Sequence, residues 1–128
     1  MRLLPDTRIL LWTAAESWRL SAVARASVGE PDNELTFSSI SLWEVAIKAG
    51  RGRADFRVDV SSLRRSLVDN GYAELPMSGA HAAALPSLPR IHKDPFDRML
   101  VAQAIVEGLT LLTSNPTVAK YPGSIRLV

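Results

Sequence analysis

The stretch Asp94-Pro95-Phe96-Asp97-Arg98-Met99-Leu100-Val101-Ala102-Gln103-Ala104-Ile105-Val106-Glu107-Gly108-Leu109-Thr110-Leu111-Leu112-Thr113 decides the fold class. Asp94 suits a helix N-cap, and Pro95 suits the first helical position, where a missing N–H is harmless because that group has no intrahelical acceptor. Gly108 suits the stop, since glycine enters the left-handed region without a Cβ clash. The spacing therefore predicts a helix over 95–107 followed at once by a short buried strand over 110–113. A helix that hands the chain directly to an apolar strand is half of a βαβ crossover, the repeating unit of a parallel sheet.

The same alternation extends outward in both directions. Further apolar runs predict strands over 2–5, 35–38, 73–75 and 124–127, and helical patterns fall over 9–14, 21–28, 42–49, 61–70 and 79–85. Ser41-Leu42-Trp43-Glu44 reads as a capping box, with Ser41 accepting from the Glu44 backbone N–H and Glu44 reaching back. Asn115-Pro116 repeats the device of an N-cap before proline, and Gly71 after Asn70 reads as a second glycine stop. The expectation is a three-layer α/β/α sandwich with a mainly parallel five-stranded sheet and right-handed crossovers. With 128 residues and no long polar linker or internal repeat, residues 1–128 are read as a single domain.

Composition narrows the function classes. The 47% hydrophobic and 22% charged content is that of an ordinary water-soluble globular chain. The absence of cysteine excludes disulfides and thiolate zinc sites, and a cytoplasmic location is the simplest expectation. The apolar N-terminal run to Trp12 is interrupted by Arg2, Asp6 and Arg8, which argues against a signal sequence or a membrane span. Net charge is only +2, yet Lys48, Arg51, Arg53, Arg57, Arg64 and Arg65 fall within eighteen positions that hold only Asp55 and Asp59 as acids. Such an excess attracts a polyanion, or else it is simply a solvated surface.

The acids carry more information than the bases. In a parallel α/β sheet, strand C-terminal ends and helix N-termini share one rim, where ligands bind. Asp6 follows the first strand, Glu44 lies in the first turn of the helix after the second, Asp94 and Asp97 open the long helix, and Asn115 follows the fourth strand. Two carboxylates about 4 Å apart repel by roughly 4 kcal/mol at an effective dielectric near 20, a penalty that a bound cation removes. With only His81 and His92 beside these oxygens, and neither with a ligand partner three or four residues on, the donor set fits Mg²⁺, with Mn²⁺ as a substitute, better than zinc. Such ions support hydrolysis of a nucleic-acid backbone. Each acid also has a purely structural reading: Asp6 and Asp94 as N-caps, Glu44 as part of the capping box, Asp97 at the positive end of a helix dipole. The histidines are read as surface or packing residues. Ser38-Ser39-Ile40-Ser41 has no His and Asp companions placed for nucleophilic catalysis.

In order along the chain, Leu3-Leu4-Pro5-Asp6-Thr7-Arg8-Ile9-Leu10-Leu11-Trp12, Ser38-Ser39-Ile40-Ser41-Leu42-Trp43-Glu44-Val45-Ala46-Ile47-Lys48, Asp94-Pro95-Phe96-Asp97-Arg98-Met99-Leu100-Val101-Ala102-Gln103-Ala104 and Leu111-Leu112-Thr113-Ser114-Asn115-Pro116 resemble the four motifs of VapC-type PIN-domain toxins. The resemblance spans nearly the whole chain. It implies a PIN-like fold, with Asp6, Glu44 and Asp97 as metal-binding catalytic acids and Asp94 assisting through water or a second ion. Asn115 or Thr113 stands at the fourth-motif position. It further implies a metal-dependent endoribonuclease that cleaves RNA, is neutralised by a VapB-like antitoxin and dimerises, with no role for a membrane. Trp12, Trp43 and Arg98 are expected to contact antitoxin or RNA, with Trp18 and Leu42 adding to an apolar antitoxin interface. Three positions depart from the family pattern: Asn115 replaces the usual aspartate, Arg8 the common histidine, and Pro5 an aliphatic residue. The loss of one charge at Asn115 leaves an alternative open, a catalytically weakened PIN-like module that binds RNA or antitoxin without cutting.

Overall fold

The computed structural model describes residues 1–52 and 58–128. Its strands are β1 (Arg2–Pro5), β2 (Glu34–Ser38), β3 (Ala73–Leu75), β4 (Thr110–Thr113) and β5 (Ile125–Leu127). They form one sheet in the order β3-β2-β1-β4-β5, and every neighbouring pair is parallel. The chain builds outward from β1 through β2 to β3, then returns to place β4 on the other side of β1. That reversal puts the topological switch point between β1 and β4, where ligands of open α/β sheets bind.

The helices are α1 (Thr7–Ala15), α2 (Ala22–Gly29), α3 (Ser39–Gly50), α4 (Val60–Asp69), α5 (Gly79–Ala84) and α6 (Pro95–Glu107). Buried residues Met99, Leu100, Val101, Ala102 and Ala104 of α6 join Leu4 and Leu111 of the sheet in one apolar cluster. Leu10 and Leu11 of α1, Leu42 and Val45 of α3 and Leu63 and Leu67 of α4 form a second cluster around Phe37 of β2. Adjacent strand residues thus feed opposite faces, as the two-residue period of a strand requires, and both faces are covered. This is the expected three-layer sandwich, with an entirely parallel sheet.

Chemistry at the chain ends of α6 explains why its bounds match expectation. Asp94 Oδ1 accepts from the Phe96 and Asp97 backbone N–H groups, Pro95 occupies the first turn, and Gly108 takes φ 68°. The start of α3 differs from expectation. Ser38, not Ser41, is its N-cap, with Oγ accepting from Ile40 N, so the helix begins three residues earlier than predicted. Ser41 is fully buried inside the helix and its Oγ accepts from Thr7 Oγ1 at 2.9 Å, a partner supplied by α1. The capping box is therefore absent, and Glu44 lies in the second turn of α3 rather than the first. After β4, Asn115 caps no helix either: Asn115 Oδ1 accepts from Thr117 N in a turn before a short 3₁₀ segment, Val118–Lys120.

Leu42 belongs to the buried cluster under α3, which removes it from the surface. Among the described part of the basic run, Lys48 pairs with Glu44 and Arg64 with Glu74, so part of its excess charge is neutralised internally. Arg53, Asp55 and Arg57 lie outside the described residues. No helix among the described residues is long and apolar enough to cross a membrane.

Candidate active site

Three segments deliver carboxylates to the rim beside the switch point. β1 ends at Pro5, whose ring carries no ladder donor, and the chain turns into α1 with Asp6 as N-cap. Asp6 N donates to Leu112 O across the β1–β4 boundary, while Asp6 Oδ1 accepts from Ile9 N at 2.9 Å. The structural reading of Asp6 as a cap is thus correct, and the cap still leaves its carboxylate in the site. Thr113, fully buried at the end of β4, hydrogen bonds to the Asp6 carboxylate through its hydroxyl and accepts from Asn115 N at 3.1 Å.

From α3, Glu44 is 4% exposed, and its charge acts on both Asp6 and Asp97. Lys48 Nζ, one helical turn on, meets Glu44 Oε2 at 2.5 Å, as i,i+4 spacing allows. The other oxygen, Oε1, is buried and has no hydrogen-bond partner among the described residues. A buried carboxylate oxygen without a donor is costly, on the order of 1–3 kcal/mol or more, so its persistence marks a place where another group belongs.

The third segment is the start of α6. Asp94 and Asp97 lie on one face at i,i+3, and one ligand atom from each, with one from His92, falls within 4.8 Å of the other two. His92 Nε2 stands 3.1 Å from Asp97 Oδ2. Sequence spacing missed His92, because it lies in the loop before α6, five residues from its partner, and is folded back by contacts remote in sequence.

Electrostatics show how closely the three segments converge. Burial, then the charges of Asp94, Asp6 and Glu44, push the Asp97 carboxyl up to about 7, with His92 opposing. Burial likewise raises Asp6, and the Glu44 charge adds to it, while hydrogen bonds from Ile9 and Thr113 pull the other way. Asp97 is therefore within range of all three other acids. The group is an acceptor-rich, mainly carboxylate cluster with one imidazole at its edge, and its chemistry fits a hard divalent cation.

The remaining predicted contact residues are distributed unevenly. Asn115 lies beside the cluster through Thr113, but its side-chain oxygen is used on Thr117 N. Trp43, next to Glu44, is 57% exposed and packs edge to face on Phe96, with ring centroids 5.2 Å apart. Trp18 is 71% exposed, and Trp12 is half-buried with the Arg8 guanidinium 5.9 Å over its ring. Arg98 is tied down rather than displayed: Nη1 donates to Pro89 O and to the Tyr121 hydroxyl. His81 is buried and paired with Glu107.

Comparison with known proteins shows the family. The PIN domain family matches residues 3–123. Ribonuclease VapC22 of Mycobacterium tuberculosis is 33% identical over 112 residues, covering 86% of this chain and 84% of that protein. In fold, the chain is similar to one in the crystal structure of VapBC2 from Rickettsia felis bound to a DNA fragment from its promoter, with TM-score 0.72, 14% identity and coverage of 100% and 99% of the two chains. A chain of DNA-bound VapBC from Salmonella typhimurium gives TM-score 0.68 at 19% identity, covering 98% of this chain and 97% of that one. The convergent acids at the switch point, the match along nearly the whole chain and the identity to a VapC ribonuclease place this protein in the PIN-domain family, in its VapC-type branch.

Proposed function

We propose that this chain is a divalent-metal-dependent endoribonuclease and the toxin of a VapBC-type toxin–antitoxin pair. The observation that carries the reading is the junction of Asp6, Glu44, Asp94 and Asp97 at one rim, with Glu44 Oε1 buried and unpartnered. These four residues would hold Mg²⁺, with Mn²⁺ as a substitute. When bound, the ion would supply an acidified water and a counter-charge for a phosphodiester in hydrolysis.

Each protein group around the site has a definable task in that reading. Lys48 holds Glu44 Oε2 and leaves Oε1 buried without a donor among the described residues. Thr113 and the Ile9 amide hold the Asp6 carboxylate at the strand end. The Thr7–Ser41 hydrogen bond ties α1 to α3, so that Asp6 and Glu44 keep their relative position. Preorganised oxygens of this kind avoid reorganisation when substrate arrives. The outcome is RNA cleavage by a partner of a VapB-like antitoxin, with exposed Trp43 and half-buried Trp12 as aromatic surface for antitoxin or RNA, and with a homodimer as the functional toxin unit.

Incubation of purified protein with a mixed RNA substrate tests the activity. Fragments are expected with Mg²⁺ and none with EDTA; metal-independent cleavage, or undiminished cleavage by Asp97→Asn, overturns the reading. Asn115 favours a second reading, because it brings an amide, already engaged with Thr117 N, where an aspartate would bring charge. A chain that retains RNA on a filter but cuts nothing with Mg²⁺ or Mn²⁺ is the binding-only module. Co-purification with the product of an adjacent reading frame tests the antitoxin.

A further inference from the structure

We propose that His92 is a positioning residue whose ring N–H holds Asp97 Oδ2 and so orients the Asp97 carboxylate toward a divalent ion. The proposal rests on the reading that these acids bind such an ion. In the Nε2–H tautomer the ring donates to Oδ2 across 3.1 Å. That contact gives Asp97 a donor against the charges of Asp94, Asp6 and Glu44. Groups that hold a metal-binding side chain through a hydrogen bond commonly change metal affinity by about 10–100-fold when removed.

The loop carrying His92 is built to keep the ring in place. The buried Tyr121 hydroxyl accepts from His92 N at 2.8 Å and donates to His92 O at 3.2 Å. Arg98, one residue after Asp97, donates through Nη1 to the same hydroxyl at 3.1 Å and to Pro89 O at 2.9 Å. One phenol therefore takes two donors and gives its single proton, its full hydrogen-bonding capacity, and clamps the loop to the first turn of α6. A backbone gripped at both N–H and C=O sets the height of the imidazole above Asp97. Direct ligation by His92 is the rival geometry, since its ring nitrogen and oxygens of Asp94 and Asp97 lie within 4.8 Å of one another. A nitrogen already engaged with Oδ2, among oxygens suited to a hard ion, favours the outer role.

The test is Mn²⁺ binding to the full chain, measured by electron paramagnetic resonance, for wild type, His92→Ala, His92→Gln and Tyr121→Phe, with thermal melts in EDTA as the folding control. His92→Ala is expected to bind about 10–100-fold more weakly, His92→Gln to recover most of the loss because its amide still donates, and Tyr121→Phe to weaken binding by a smaller factor. Unchanged affinity in folded His92→Ala overturns the proposal, and so does a directly coupled nitrogen in pulsed spectra of the wild-type complex. If His92→Ala does not fold, Tyr121→Phe decides: unchanged affinity counts against the clamp. A wild type that binds no Mn²⁺ overturns the metal reading itself, and the proposal with it; Mn²⁺ bound equally by wild type and His92→Ala overturns the proposal alone.

Discussion

Two buried polar clusters in this molecule obey opposite rules. In one, Ser38 Oγ donates to Gln103 Oε1 at 2.5 Å and the Gln103 amide faces His81 Nδ1 at 3.4 Å. His81 Nδ1 also accepts from Ser78 N, and Nε2 meets Glu107 Oε2 at 2.8 Å. Each polar group named there has a partner, with Nδ1 accepting and Nε2 donating as in one neutral histidine tautomer. In the other, the charges of Asp94, Asp6 and Glu44 all act on Asp97, one oxygen of Glu44 has no donor among the described residues, and Asp97 is pushed up to about 7 by burial and by its acidic neighbours. A satisfied network holds the fold together, whereas acceptors crowded without donors are tolerated only because something else is meant to join them.

The largest contrast should come from removing charge on the acidic side. Asp6→Asn keeps an N-cap, since asparagine caps as well as aspartate, yet RNA cleavage is expected to fall by at least about 10²-fold, because losing a ligand costs no less than losing a ligand's supporting partner. Gel assays at matched folded fraction check it, and wild-type rates in Asp6→Asn would erase the distinction between the clusters. On the satisfied side, Gln103→Ala leaves the buried Ser38 hydroxyl without its acceptor and should lower stability by about 1–3 kcal/mol in urea melts while Mn²⁺ affinity stays at the wild-type value. A loss of metal binding there, with stability intact, would reverse the assignment.

Acidity offers a finer test. The folded Asp97 carboxyl titrates near 7 against an ordinary value of 3.8, so between these values the folded chain binds more protons than the unfolded one. The contribution of Asp97 to the stability of the metal-free protein is therefore fullest below about pH 4 and is lost as pH rises toward 7. Urea melts in EDTA should show Asp97→Asn flattening this dependence; an identical slope in the variant contradicts the crowding. The smallest effect is expected from Asn115→Asp, which preserves the acceptor for Thr117 N and adds one partly solvated charge near Thr113. An increase in Mn²⁺ affinity of about fivefold corresponds to roughly 1 kcal/mol, the scale of a Coulomb term in a watery setting.

Much of the fold, and the acids of the candidate site, are legible in the sequence, whereas the Ser38–Gln103–His81 network is not. The bounds of α6 follow from Asp94, Pro95 and Gly108, all local signals, and β1, β3 and β4 fall where their apolar runs lie. The acids converge because strand ends and helix starts share a rim, a consequence of topology alone. The start of α3 was misread because three serines compete to cap it, and only the hydroxyl of Thr7, thirty-four residues away, explains why Ser41 is inside. His92 escaped for a related reason: its place beside Asp97 depends on Tyr121, twenty-nine residues further on, and no local periodicity encodes that. Asp6 teaches a different lesson, since its cap and its place in the acidic cluster are one conformation rather than alternatives.

The central claim is that Asp6, Glu44, Asp94 and Asp97 share a divalent ion, and anomalous diffraction from a crystal soaked in Mn²⁺ addresses it most directly. A strong peak bounded by oxygens of these residues, with Glu44 Oε1 among them, is the predicted result. An empty cluster at saturating Mn²⁺, with the carboxylates turned apart, would contradict it.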